Sequence, residues 1–106
     1  MLTLYQFEVY IAVAKYLNIT RAARELHVSQ SAVSQQIERF EENLRVTLIK
    51  KRRRGVELTE HGASVRIESK RILARVDALK KKYGRGISTM IFTFTAGQDL
   101  PTLLLL

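Results

Sequence analysis

Short polar side chains gather in one stretch of the sequence where they are able to hydrogen-bond to a ligand. Gln30, Ser31, Ser34 and Gln35 follow Ser29 and share the outer side of a helix whose other side is apolar. A glutamine amide pairs with adenine through two hydrogen bonds, and a serine hydroxyl donates or accepts one. Ser29 and the free N–H groups at the helix start suit a phosphate. This pattern predicts a surface that contacts base edges and phosphates, with the alternative that the polar face is only solvated.

Five adjacent cations form the second group, Lys50, Lys51, Arg52, Arg53 and Arg54. Neighbouring cations repel one another unless a polyanion neutralises them. Guanidinium groups are able to enter a narrow minor groove or to clamp phosphates. The run therefore favours DNA contact over a patch that only keeps the chain in solution, with Arg53 and Arg54 as the first candidates.

Three further residues complete the candidate DNA-binding set: Thr20, Arg21 and Arg39. Thr20 and Arg21 stand at the start of a second predicted helix, and Arg39 follows Gln35 by one turn. Arg21, like Arg24, either touches a backbone phosphate or is an ordinary exposed helix residue, and the sequence does not separate these alternatives.

The charge of the chain agrees with a polyanionic partner. The 106 residues carry a formal charge of +8 at pH 7, which steers a protein toward nucleic acid. Residues 1–44 hold four basic and five acidic side chains, whereas residues 45–85 hold fourteen basic and four acidic ones. The positive field is thus concentrated in the second half.

Several classes of function are disfavoured by what the sequence lacks. There is no cysteine, so disulfide and thiol chemistry are excluded. His27 and His61 stand far apart without zinc-site spacing, and Glu41 and Glu42 look like solvated residues near a helix end. No phosphate loop or nucleophile elbow occurs. We predict no enzyme, no metal and no cofactor, and, since no leader or membrane span is evident, a cytoplasmic location.

Capping residues and apolar spacing predict three helices in the first half. Thr3 and Gln6 have the form of a capping box. The box predicts a helix that starts at Leu4 and ends near Leu17. Thr20 caps a second helix that runs from Arg21 to Leu26, and Ser29 caps a third. The apolar face of the first helix is predicted as Leu4, Phe7, Ile11 and Ala14, and that of the third as Val33, Ile37, Phe40 and Leu44.

The second half is predicted to form a hairpin and a long helix. Residues 47–49 and 56–58 read as two strands around a basic tip, 50–54, which ends in Gly55. Thr59 caps a fourth helix that continues to about Tyr83. A heptad pattern on this helix predicts a dimerisation seam, with the alternative that the same stripe packs within its own subunit. The seam residues are Val65, Ser69, Ile72, Val76, Leu79 and Tyr83.

The segment from Asn18 to Glu41 closely resembles the helix-turn-helix of the LysR-type transcriptional regulators, and the resemblance continues through residues 44–49 and 54–62. It assigns base contact to Gln30, Ser31, Ser34 and Gln35. Ser31 departs from the family pattern, which has proline there, and so alters the helix start or adds a polar contact. More loosely, 87–96 and 100–104 resemble the first strand and helix of the effector-binding domain.

The resemblance and the pattern together define the expected protein: a mainly α winged helix-turn-helix (1–58), a linker helix (59–83) that pairs in a dimer, and a hinge with a short, incomplete C-terminal tail (84–106). The resemblance implies a transcriptional regulator that binds an interrupted palindrome in duplex DNA as a homodimer, and a tetramer is a further alternative. Effector response is not expected, because most of the effector domain is missing. The alternatives are a sequence-tolerant architectural DNA binder and a truncated subunit that forms mixed dimers.

Overall fold

The computed structural model describes residues 1–83, which form four α-helices and a two-stranded sheet. The mainly helical fold class and the order of three helices, a hairpin and a fourth helix are as predicted. The predictions for 84–106 lie outside the described residues. In chain order the elements are α1 Leu4–Tyr16, α2 Ile19–Leu26, α3 Gln30–Leu44, β1 Ile49–Lys51, β2 Val56–Leu58 and α4 Glu60–Tyr83.

Three of the four predicted helix caps are confirmed. At the start of α1 the Thr3 hydroxyl accepts from the Gln6 amide at 3.1 Å, and the Gln6 side chain accepts from the Thr3 amide at 3.1 Å. Ser29 caps α3 by accepting from the Ala32 amide at 3.0 Å. The Thr59 hydroxyl accepts from the Gly62 amide at 2.9 Å in the first turn of α4. Each cap satisfies a backbone donor that a helix start otherwise leaves free.

The predicted cap of α2 was wrong by two residues. Asn18, not Thr20, caps this helix, and its side-chain oxygen accepts from the Arg21 amide at 2.9 Å. The helix therefore begins at Ile19, and Thr20 is an exposed residue inside its first turn. Leu17, in the left-handed region with φ 50°, ends α1 and turns the chain at once into Asn18. This short connection leaves no room for a cap at Thr20.

The first helix is the centre of the fold, because it packs against α2, α3 and α4. Its fully buried residues include Val9, Tyr10 and Val13. Of the predicted face, only Ala14 is buried, whereas Leu4, Phe7 and Ile11 are half-buried. A helix with neighbours on several sides is apolar around most of its circumference, so apolar spacing does not single out one buried face.

The apolar side of α3 packs as predicted. Val33, Ile37 and Phe40 are all nearly or fully buried. The Phe40 ring lies edge-on to Phe7 with ring centroids 5.2 Å apart, and it also contacts Tyr10 at 5.5 Å. Burial of this stripe leaves the other side of α3 exposed to solvent.

The hairpin exists, but its first strand begins two residues later than predicted. Ile49 pairs with Leu58, and Lys51 pairs with Val56, in an antiparallel register. Lys50 and Lys51 therefore lie in β1, and the tip is shorter, residues 52–55. Leu48 is fully buried in the core, so core packing as well as the backbone hydrogen bond from the Thr59 amide holds the residue before Ile49.

Candidate nucleic-acid interface

The exposed side of α3 is polar but uncharged at its start. Gln30, Ser31 and Gln35 are exposed, and Ser34 is half-buried. Within residues 1–83 the side chains of these four form no hydrogen bond with the rest of the fold. Their donors and acceptors are therefore free to pair with a ligand. Ser29 uses its hydroxyl oxygen for the cap.

The later turns of the same helix have a different charge. Glu38 and Glu42 are exposed there, and the predicted Arg39 is exposed between them. Carboxylates repel a phosphate backbone, so a polyanion approaches the start of α3 more favourably than its end. The neutral first two turns are the part of α3 suited to the floor of a DNA groove.

The start of α2 carries a cluster of charged and aromatic side chains. The guanidinium carbon of Arg21 lies 4.9 Å from the centre of the Tyr16 ring, and Nζ of Lys15 lies 5.0 Å from it. The Tyr16 hydroxyl donates to Glu25 at 2.6 Å, which lowers the pKa of Glu25. Arg21 is thus an exposed cation oriented by an aromatic ring, and Arg24 is exposed beside it.

The cations of the hairpin are not equivalent. Arg52 forms an ion pair with Glu57 across the hairpin, and this hydrogen bond raises the pKa of Arg52 and lowers that of Glu57. Arg53 and Arg54 are exposed at the tip. Neither of them has a carboxylate partner among the described residues. Arg53 and Arg54 are therefore better placed than Arg52 to bind an external anion.

The hairpin is seated beside the start of α2. The Val56 amide donates to the Leu17 carbonyl at 2.9 Å, and Gly55 packs so closely that a Cβ there would lie 2.3 Å from the same oxygen. The left-handed φ of +81° at Gly55 also favours glycine. A shallow cavity of about 180 Å³ between hairpin and helix is lined by Asn18, Ile19, Thr20, Lys51, Arg52, Gly55 and Val56. The fold thus brings together Thr20 of α2 and Arg52 of the hairpin, two of the predicted residues.

Glu41 is a site residue that the sequence analysis misassigned as solvated. It is half-buried, and its carboxylate accepts from the Leu48 amide at 2.7 Å and from the Ile49 amide at 3.2 Å. Its position was a usable signal, because Glu41 is one turn from both Ile37 and Leu44 and so belongs to the inward stripe of α3.

The long helix presents a row of apolar side chains to solvent. Ile72, Leu79 and Tyr83 are 37%, 50% and 61% exposed. Val65 and Val76 are half-buried beside them. Ser69, which the heptad pattern included, is fully buried within its own subunit and is not available to a partner. No described helix is long and apolar enough to cross a membrane.

Fold and exposed site together define a winged helix-turn-helix DNA-binding domain. The DNA-binding domain of CbnR, solved in complex with DNA, superposes on 77% of this chain and 94% of its own length with a TM-score of 0.75 and 33% identity. The BenM DNA-binding domain, solved with catB site 1 DNA, superposes with a TM-score of 0.75 and 27% identity over 77% of this chain and 92% of its own.

The sequence model of the lysR family of bacterial regulatory helix-turn-helix proteins matches residues 4–63. This match covers more than half of the 106 residues, and the chain belongs to the lysR family. The family resemblance inferred from the sequence is thus confirmed.

The curated relatives are transcriptional regulators rather than enzymes. BudR of Klebsiella aerogenes is 44% identical over 79 residues, which cover 74% of this chain and 54% of that protein. BudR of Raoultella terrigena is 45% identical over 73 residues, 69% of this chain and 25% of its own length. The carbapenem-hydrolyzing beta-lactamase transcriptional activator of Enterobacter cloacae is 36% identical over 96 residues, 85% of this chain and 32% of its own. The chain thus spans between a quarter and about half of the length of these relatives.

Proposed function

We propose that this chain is a sequence-specific transcriptional regulator that binds an interrupted palindromic operator as a dimer, with α3 in the major groove and the hairpin on the minor groove or backbone. The observation that carries the proposal is the start of α3, where exposed or half-buried amides and hydroxyls have no hydrogen-bond partner among residues 1–83 and lie on the outer side of the helix.

Base readout is assigned to the first two turns of α3. A major groove about 12 Å wide admits one helix, and short polar side chains at its N-terminal end reach the base edges. Gln30 and Gln35 carry amides that suit adenine, while Ser31 and Ser34 tolerate more than one base. Arg39, one turn beyond Gln35, is assigned to the groove wall, where phosphates lie.

Phosphate contact is assigned to α2 and to the hairpin. Arg21 and Thr20 are exposed in the first turn of α2. Arg53 and Arg54, with Lys50 from β1, extend toward the flanking minor groove or backbone. Because Arg52 is engaged by Glu57, its assigned contribution is smaller.

The dimer is assigned to the exposed apolar row on α4, Val65, Ile72, Val76, Leu79 and Tyr83. Leu79 and Tyr83 are at least half exposed and Ile72 is 37% exposed, and exposed apolar side chains of this size favour burial against a second helix. A two-fold dimer places two copies of α3 on half-sites about one or two helical turns apart. A dimer of the 106-residue chain is then able to contact both half-sites of a palindrome.

Selection of bound fragments from a pool of random duplex DNA tests the proposal. We expect enrichment of two inverted half-sites with a fixed interval between them. At one salt concentration the selected duplex should bind at least about 10³-fold more tightly than a scrambled duplex. Recovery of no common sequence, with similar affinity for all duplexes, would contradict the proposal and favour the architectural alternative.

A further inference from the structure

The hairpin is too small to hold its own orientation. Each strand has three residues, and an isolated two-stranded hairpin is at best marginally stable in water. Its position relative to α3 must therefore come from contacts that the rest of the fold makes with its ends.

Two of these contacts are made by amides in β2 and directly after it. The Leu17 carbonyl accepts from the Val56 amide at 2.9 Å, and the Leu48 carbonyl accepts from the Thr59 amide at 2.9 Å. The first bond ties β2 to the α1–α2 turn, and the second joins the two residues that flank the strands at the base of the hairpin. Neither bond involves α3.

Glu41 supplies the polar contact from α3. Its Oε2 accepts from the two consecutive amides at which the chain enters β1, those of Leu48 and Ile49. Two N–H donors on one carboxylate oxygen form charge-assisted hydrogen bonds, which are the stronger kind. Lys50 follows Ile49 directly, so this carboxylate sets where the cationic strand leaves the core.

We infer that Glu41 is a positioning residue for DNA binding, which fixes the spacing between the base-facing side of α3 and the cations of the hairpin. The inference rests on the proposed function, in which both surfaces engage one duplex. Glu41 itself is turned away from the exposed face, and a carboxylate repels phosphate, so it acts through the hairpin and not by contact with DNA.

A double-mutant cycle separates positioning from simple stability. The full chain is tested with Glu41→Ala, with Arg53→Ala plus Arg54→Ala, and with all three changes, on a duplex selected by the unaltered chain. Glu42→Ala is the matched control, because it removes the same charge from an exposed position on the same helix. Circular dichroism establishes that each variant is folded at the assay temperature.

The readout is the slope of log affinity against log salt concentration. Removal of the arginine pair should lower this slope by about 1.8 per subunit, or about 3.6 for the dimer, because two phosphates per subunit are no longer bound, and by less than about half of that when Glu41 is alanine. Glu41→Ala alone should bind about tenfold more weakly than Glu42→Ala. If Glu41→Ala does not fold, Glu41→Asp replaces it, because it keeps the charge while withdrawing the carboxylate by one methylene.

Each result bears on one of two statements. An arginine effect of equal size with and without Glu41 would overturn the positioning role. An arginine pair without effect on slope or affinity in the unaltered chain would instead overturn the proposed hairpin contact. A reduced arginine effect in the absence of Glu41, with Glu42→Ala unchanged, supports the inference.

Discussion

The hydroxyl of Tyr10 donates a 2.6 Å hydrogen bond to the carbonyl oxygen of Gly62, and this buried contact joins α1 to the first turn of α4. The approach is so close that a Cβ on Gly62 would lie 2.9 Å from that hydroxyl and 2.1 Å from the Leu48 carbonyl oxygen. Glycine at this position lets the long helix cross the core at the point where the hairpin ends.

The buried Tyr10 hydroxyl makes stability depend on alkaline pH. Burial, with a smaller effect of Glu41, raises the pKa of Tyr10 to about 12 from 10.0. The unfolded chain therefore loses this proton at lower pH than the folded chain does. The stabilisation is complete below about pH 10 and is lost between about pH 10 and pH 12, by on the order of 2 kcal/mol.

Urea unfolding of the chain and of Tyr10→Phe across this interval checks the prediction, because the other titrating groups are common to both proteins. At neutral pH the variant should be less stable by about 1 kcal/mol, because it lacks the hydrogen bond to Gly62. The difference between the two proteins should shrink and then change sign as the pH rises. A difference that stays constant would show that Tyr10 ionises normally in the folded protein.

Gly55→Ala should destabilise the fold. Its φ of +81° is unfavourable for alanine, and the new methyl group would meet the Leu17 carbonyl oxygen at 2.3 Å. We expect a loss of about 1–3 kcal/mol in the free energy of unfolding, measured by urea denaturation. Arg54→Ala, at the exposed neighbouring position, should change it by less than about 0.5 kcal/mol. Unchanged stability of Gly55→Ala would mean that the hairpin does not sit on the α1–α2 turn in solution.

Gln35→Ala should relax the preference for particular bases, because a bidentate amide pair with a base is worth about 1–3 kcal/mol of discrimination. Titrations on the selected duplex and on its single-base variants measure the effect. Gln36→Ala is the control, since it removes the same amide from a half-buried position. If both variants rank the duplexes as the unaltered chain does, Gln35 does not read a base.

Arg53→Ala with Arg54→Ala should weaken binding to selected and scrambled duplexes alike, since phosphate contacts carry no sequence information. The salt slope should fall by about 0.9 for each phosphate that the variant no longer binds. Lys70→Ala with Arg75→Ala removes the same charge from exposed positions on α4 and should leave the slope nearly unchanged. Equal effects of the two pairs would indicate a general charge effect rather than binding by the hairpin.

Ile72→Glu with Leu79→Glu should yield monomers. Each buried aliphatic side chain contributes roughly 1.5–3 kcal/mol, and an unpaired buried carboxylate costs more. Operator binding should fall sharply while half-site binding changes little, because the dimer holds its second reading helix near the second half-site. Sedimentation of the variant, with circular dichroism for folding, measures this.

Ile67→Glu is the control for the seam, because Ile67 is 52% exposed and lies on a different side of α4 from Ile72. The Ile67→Glu protein should remain a dimer. A folded Ile72→Glu, Leu79→Glu protein that still sediments as a dimer would place the interface elsewhere.

The features that the sequence by itself determined are local ones. The caps at Thr3, Ser29 and Thr59 are satisfied within three residues of the cap, so residue type and spacing suffice to predict them. The inward stripe of α3 follows from helical period alone, and with it the exposed polar start of that helix. Charge asymmetry and family resemblance, which also need no coordinates, indicated the DNA-binding class.

The tertiary structure decided everything that joins distant segments. Three contacts depend on which elements meet in space: the burial of Ser69, the hydrogen bond from the Val56 amide to Leu17, and the hydrogen bond from the Leu48 amide to Glu41. The predicted apolar face of α1 was only partly correct, because α1 packs against three other helices and is buried on more than one side. Contacts between residues far apart in the chain depend on how helices cross, and periodicity along one helix contains no information about the helix that packs against it.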